Sequence, residues 1–258
     1  MAVLTDRLDY VLGKKAAAPL EEYFGIRTVN DLLRHYPRKY SDGMTVLGEG
    51  EELEEGEHVT FVDVITKVEL KWTNRSPKRE FMVVTIGNRR PRVTATFFNV
   101  KYLKKSLVQH ARVMLSGEVG YYRGTLQLTH PAYLVLHDSG KLTGSQSLKT
   151  IASTSGVAGD DLLSAFARDF FPIYAANKKM QTWEIYACVR QVLDVLDPIA
   201  DPLSKAVLQQ RNLISEDEAL RAIHLAEKTA ERERAQARLT FDEAVGLQWA
   251  LVGAGTVS

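Results

Sequence analysis

The decapeptide TFFNVKYLKK, residues 96 to 105, sets two adjacent phenylalanines, Phe97 and Phe98, close to Tyr102 and among Lys101, Lys104 and Lys105. Neighbouring residues of a strand point to opposite faces, so one of the two rings is expected in a core and the other outward. An exposed ring offers a flat surface to a nucleobase, and lysines around it hold the flanking phosphates. The alternative is that both rings fill a strand-to-helix corner and the lysines are a solvated face, since Phe and Tyr are often buried or half-buried. Further cations follow the same logic. Lys71, Arg75, Lys78 and Arg79 lie in one polar loop, and Arg89, Arg90 and Arg92 in the next. Each alone is a solvated charge, whereas seven on two adjacent loops are the footprint of a surface that tracks a phosphate backbone. Trp72 is a further stacking candidate, expected to be half-buried at a strand end.

Catalytic signatures are absent. The sequence contains no G-x-x-x-x-G-K-[ST] loop, and its nearest glycine cluster, GVAGDD at 156 to 161, carries two carboxylates that would repel phosphate. There is no H-E-x-x-H and no G-x-S-x-G. Six scattered histidines and the single Cys188 do not make a four-ligand zinc site or an intrachain disulfide. No cofactor or metal is therefore expected in this segment. No apolar run is long enough for a transmembrane helix, and acidic residues interrupt the first twenty positions, which argues against a secretory signal.

The elements that must position the aromatic and basic residues follow from charge and periodicity. Net charge over the 258 residues is only +1, but residues 58 to 137 hold 13 Lys or Arg against 4 Asp or Glu, and the remainder is net acidic. A basic middle in an acidic frame points to a module that meets an anion. Residues 1 to 48 read as helical, with Leu4, Leu8, Val11 and Leu12 at helical spacing, a break at Gly25 and a helix start at Thr28 with Asp31. GEGEELEEGE, 48 to 57, reads as a linker. From His58 the period becomes two, and five strand-like runs follow, with the helical-looking KYLKKSLVQH between the third and fourth. That order is the order of an OB-fold barrel, whose face and loops commonly bind oligonucleotides. Residues 138 to 157 are rich in Gly, Ser and Thr and read as a flexible connection. Helices follow from 158 to 258: one with Trp183, Tyr186, Val189, Val192, Leu193 and Leu196 on one side, one started by Ser215 and Glu218, and one by Thr240 and Glu243. The fold class expected is α+β: a helical segment at 1–48, an OB-fold domain at 49–137, a linker at 138–157 and a helical segment at 158–258.

Several segments resemble the amino-terminal region of the bacterial RecG family of ATP-dependent branched-DNA helicases: GIRTVNDLLRHYPRKYSD, TATFFNVKYLKKSL, GEVGYYRGTLQLTHPAY, IYAANKKMQTWEIYACVRQVLD and ARLTFDEAVGLQ, in order along nearly the whole chain. IYAANKKM departs from the family's proline-and-glycine spelling. The resemblance implies a wedge domain that docks where the arms of a replication fork or Holliday junction part, in recombination and repair. The family's F-N-x-x-Y pattern falls on Phe98 and Tyr102. The helicase motor, with its ATP and Mg, is expected beyond Ser258, so the 258 residues alone are expected neither to hydrolyse ATP nor to unwind DNA. Branched DNA is the expected partner of a monomer in the bacterial cytoplasm, at the nucleoid, with no membrane involved. Two other readings remain open on the residues themselves: a free-standing OB-fold that binds single-stranded nucleic acid, and a module that binds an acidic protein.

Overall fold

The computed structural model describes residues 1–40, 53–88, 92–136, 142–145 and 171–254. The chain divides into two units, Met1–Pro37 with Val189–Ser258, and Arg38–Cys188.

The first unit is helical. Helix α1, Leu8–Leu12, buries Leu8 and Leu12. Helix α2, Lys14–Phe24, stops at Gly25, whose φ of 67° is the left-handed turn that a glycine makes without a Cβ clash. Helix α3, Val29–Arg34, opens on Thr28 and Asp31, which cap each other's backbone N–H groups as their spacing predicts. Helix α4, Thr182–Val195, carries the boundary between the units, and its predicted apolar side is buried from Trp183 to Leu193. Helix α5 spans Lys205–Arg211, and helix α6, Glu216–Leu225, has the Ser215–Glu218 capping box. Helix α7 runs unbroken over Thr229–Ala254. Thr240 therefore lies inside a helix instead of opening one. The preceding EKTAERERAQAR is rich in good helix formers, so nothing halts propagation before Thr240. Within this unit, His224 donates from Nε2 to the carbonyl of Leu33 at 2.8 Å, and burial lowers its pKa to about 4, so the imidazole is neutral.

The second unit is built on strands β1 (Lys39–Tyr40), β2 (His58–Trp72), β3 (Glu80–Ile86), β4 (Val93–Phe98), β5 (Arg112–Tyr122), β6 (Thr125–Thr129), β7 (Ala132–Leu136), β8 (Leu142–Gly144) and β9 (Pro172–Ile173). Among the described residues, β1 pairs only with β9. The long β2 bends at a register shift between Ile65 and Lys67, so that its first half pairs with β5 and its second with β3. β3 pairs with β4, β4 with β6 in parallel, and β6 with β5, which leads back to β2. Phe61, Ile65, Met82, Val84, Ala95, Phe97, Val113, Leu115, Leu126 and Leu128 form the core enclosed by these strands. Cys188 is buried, and burial pushes its thiol up to about 12, so this lone thiol is unreactive.

Three expectations are corrected here. KYLKKSLVQH is a run of turns and not a helix. Asn99 and His110 both take positive φ (61° and 72°), which closes the segment at each end, and the residues between them form turns. The final strand-like run is two strands, β6 and β7, separated by His130 and Pro131. Within the span read as a linker, Leu142–Gly144 pairs with β7, whereas 137–141 and 146–157 lie outside the described residues. So does the first half of the acidic stretch, 48–52, whereas 53–57 is described, with Gly56 N–H bonded to the carbonyl of Val119.

Candidate nucleic-acid interface

The alternation of β4 decides between the two phenylalanines. Val93, Ala95 and Phe97 are buried, and Phe97 is 1% exposed, with Tyr133 edge-on at 5.7 Å. Phe97 is a core residue and cannot meet nucleic acid. Phe98 falls on the other face and is 43% exposed. It sits opposite Phe81 on β3, ring centroids 6.1 Å apart, with the His130 ring 6.4 Å away on its other flank. Aromatic neighbours at this range favour offset and tilted arrangements, which hold the Phe98 ring in place while leaving part of it open.

After Phe98 the chain reverses at Asn99. Val100, Leu103 and Leu107 are then buried, and bonds from Leu103 and Lys104 N–H to the Val100 carbonyl, and from Leu107 to Leu103, wind the segment once around. That anchoring turns Lys101, Tyr102, Lys104 and Lys105 outward. Tyr102 is 81% exposed. Lys104 is committed to Glu80, with Nζ 2.8 and 3.0 Å from its two carboxylate oxygens, which ties the turns to the start of β3. Lys101 and Lys105 have no such partner among the described residues. Of the three lysines, these two are free to meet a phosphate. Replacing both by alanine is expected to flatten the log–log salt dependence of DNA binding by about 0.7 to 0.9 per lysine, and Lys104→Ala by less. A salt titration of the double variant with an unchanged slope would make them an ordinary solvated face.

The basic loops do not form one cluster. Lys71, Arg75, Lys78 and Arg79 belong to the β2–β3 hairpin, at the Glu80 end of β3 and the Phe98 end of β4. Arg92 precedes Val93, at the opposite end of both strands, and Arg89 and Arg90 lie outside the described residues. Arg92 and Phe98 are separated by the length of β4, about 20 Å at ~3.3 Å per residue. The adjacency expected from the sequence is therefore wrong for Arg92: loops adjacent along the chain leave opposite ends of the strand between them. In the hairpin, Arg75, Lys78 and Arg79 are exposed, while Lys71 shares Glu69 with Lys67, and these lysines with Arg92 hold the Glu69 carboxyl below its ordinary range. Trp72 is not half-buried. It is 60% exposed at the end of β2, where it pairs with Glu80, one residue beyond the last β3 residue that β4 pairs.

His130 was not visible in the sequence as a site residue. Its φ of 51° and its N–H bond to the Thr96 carbonyl at 2.8 Å swing the imidazole toward both Phe97 and Phe98. Beside it lies a recess of about 230 Å³ lined by polar groups that include His58, Ser116, Thr129, Lys178 and Gln181. His58 Nε2 is 3.0 Å from Ser116 Oγ and donates toward Gln181 Oε1 at 3.2 Å, and burial lowers the imidazole pKa. Lys178 holds the Glu118 carboxyl below its ordinary range across 2.7 Å. No group of His, Cys, Asp or Glu among the described residues is arranged to hold a metal. No helix among them is long and apolar enough to cross a membrane.

The family model of the RecG wedge domain matches residues 8–144. Two curated relatives are named ATP-dependent DNA helicase RecG. The one from Mycobacterium leprae is 58% identical over 98% of this chain and 34% of its own length. The one from Mycobacterium tuberculosis is 56% identical over 98% and 35%. The chain thus spans about a third of the length of the relatives it matches. A solved structure of RecG bound to a three-way DNA junction superposes with a TM-score of 0.50 at 21% identity, over 97% of this chain and 31% of that one, a likeness of fold. With a family match across more than half of its residues, this chain belongs to the RecG wedge domain family.

Proposed function

We propose that this chain is the DNA-binding wedge of a RecG-like, ATP-dependent DNA helicase, engaging branched DNA such as stalled forks and Holliday junctions in recombination and repair. ATP and Mg would be handled by residues outside these 258, which contain no phosphate-binding loop. The strand circuit β2–β3–β4–β6–β5 is read as an OB-type barrel: its order and the single parallel pair between its third and fifth strands support this. In domain terms the proposal is a helical segment at 1–48 that includes the short strand Lys39–Tyr40, the wedge at 49–137, a connection at 138–157 whose Leu142–Gly144 pairs with β7, and a helical part to 258 that leads to the motor. The reading also takes the protein as a monomer of the bacterial cytoplasm.

The observation that carries the proposal is the Phe98–Tyr102 pair. Both rings are exposed on a rim that bears free cations, in a domain of the RecG wedge family. A strand leaving a duplex deprives the last base pair of its stacking partner, and a ring held at that point replaces it. The cations then hold the backbone on either side. A free-standing single-strand binder would use the same residues but would have no preference for a branch. Competition between a fork and a single strand of equal length decides: the fork is expected to displace the single strand at substoichiometric concentration. Equal displacement by either would favour the single-strand binder.

A further inference from the structure

At the end of the sheet opposite Phe98, a second set of residues is left unused by the proposed function. β5 and β6 are joined by Arg123 and Gly124 alone, because Tyr122 pairs directly with Thr125. Both loop residues have positive φ, 48° and 74°, the mark of a type I′ turn. Glycine suits the second position. The first favours Asn, Asp or Gly, and a long side chain with a β-carbon is disfavoured there. An arginine held in that conformation is an outlier that invites a functional explanation.

Its side chain supplies one. The Arg123 guanidinium lies 5.3 Å from the centroid of the Tyr122 ring, which is itself 60% exposed. Stacking on a ring fixes the guanidinium plane and leaves its N–H edge free for a bidentate oxyanion. Arg92 is next to this tip: its carbonyl accepts from Leu126 N–H at 3.0 Å, and Leu126 is paired with Tyr121. Arg92 also continues the outward set of β4 to which Phe98 belongs, since Val93, Ala95 and Phe97 are the buried set. Among the described residues, neither Arg92 nor Arg123 has a carboxylate within ion-pair distance. Between the two ends, β4 and β6 present the low side chains Thr94 and Gln127, both half-buried.

We propose that the Tyr122–Arg123 hairpin tip, with Arg92, is a second nucleic-acid contact that grips a backbone phosphate of the DNA engaged at Phe98. The proposal rests on the reading that Phe98 meets DNA. The two contacts are about 20 Å apart along β4, which at ~3.4 Å per nucleotide of one strand is about six nucleotides. The phosphate belongs to a single-stranded arm or to a duplex arm, and the chemistry of the grip is the same for both.

The turn itself provides the test. Arg123→Asn and Arg123→Gly put preferred residues at the first I′ position, so neither is expected to lower the melting temperature. Fork affinity of the 258-residue protein would be measured by fluorescence anisotropy, with one arm single-stranded or duplex, and either ten or three nucleotides long. Both variants are expected to weaken binding to one ten-nucleotide arm type about fivefold or more. They should lower its log–log salt slope by about 0.7 to 0.9, and leave the three-nucleotide forks unaffected. The arm type that loses affinity identifies which backbone is held. Phe98→Ala should weaken binding to long and short forks alike. If Phe98→Ala weakens binding while both Arg123 variants match the parent on every fork, the second contact is overturned and the wedge reading stands. If Phe98→Ala and the Arg123 variants are all without effect, the wedge reading fails together with the second contact.

Discussion

Phe98→Ala and Tyr102→Ala are each expected to lower the affinity for a fork by about fivefold to over a hundredfold, and to leave the affinity for a blunt duplex nearly unchanged. The range is that of losing one base–ring stack, roughly 1 to 3 kcal/mol. The duplex is spared because its bases are already stacked and offer the rings nothing to replace. Stability separates this outcome from a packing role. Tyr102 is almost wholly exposed, so its removal should not change the melting temperature. Phe98 gives up partial contacts with Phe81 and His130 and should cost little. Phe97 is the internal control: it is fully buried on the same strand, and Phe97→Ala should cost about 3 to 5 kcal/mol of stability and impair every activity together. The stacking assignment is wrong if the Phe98 and Tyr102 variants melt like Phe97→Ala, or if they bind fork and duplex equally badly.

Which of these features were legible in the sequence depends on how local their causes are. The alternation in HVTFVDV and RVTATFF reports strands because each residue's face is set by its own position, and the pleat then divides Phe97 from Phe98. The two capping boxes were legible for the same reason, as a side chain and a backbone N–H three residues apart. KYLKKSLVQH has helical composition, but Asn99 and His110 take left-handed conformations that composition does not reveal. The basic loops were misjudged because distance along the chain says nothing about which end of a strand a loop leaves. His130 was missed because a His-Pro pair reads as a turn, and only the fold shows what its ring faces. Nothing local in the sequence shows that Arg123 lies over Tyr122.

Least legible of all is the buried guanidinium of Arg238, and removing its carboxylate partner is expected to have a large effect on stability. On α7 this side chain is 0% exposed. It donates from Nη1 and Nη2 to the two oxygens of Asp201 at 2.7 and 2.9 Å, from Nε to Asp242 at 2.8 Å, and from Nη1 to the Ile214 carbonyl at 2.9 Å. Asp201 in turn accepts from the N–H of Leu203 and of Glu216, the first residue of α6. One ion pair thus ties the loop before α5, the start of α6 and the middle of α7, from residues 37 positions apart in sequence. Asp201→Ala strands most of a buried charge, and breaking such a pair by removing one partner costs about 3 to 5 kcal/mol. That is a large part of the roughly 5 to 15 kcal/mol that holds a domain folded. The charge also sets a pH dependence. Arg238 holds the Asp201 carboxyl at about 2, below its ordinary value of 3.8. The unfolded chain therefore takes up the proton first as pH falls. The stabilisation is fully present above about pH 4 and is lost as pH falls toward 2, in total about 2 kcal/mol. Asp201→Asn keeps an acceptor but cannot ionise, so it should lack this component, and the stability gap between parent and variant should narrow by about 2 kcal/mol as pH falls from 4 to 2. Urea unfolding of parent and variant across that range measures the difference directly. A constant gap between the two curves would mean that Asp201 carries no charge-dependent share of the stability.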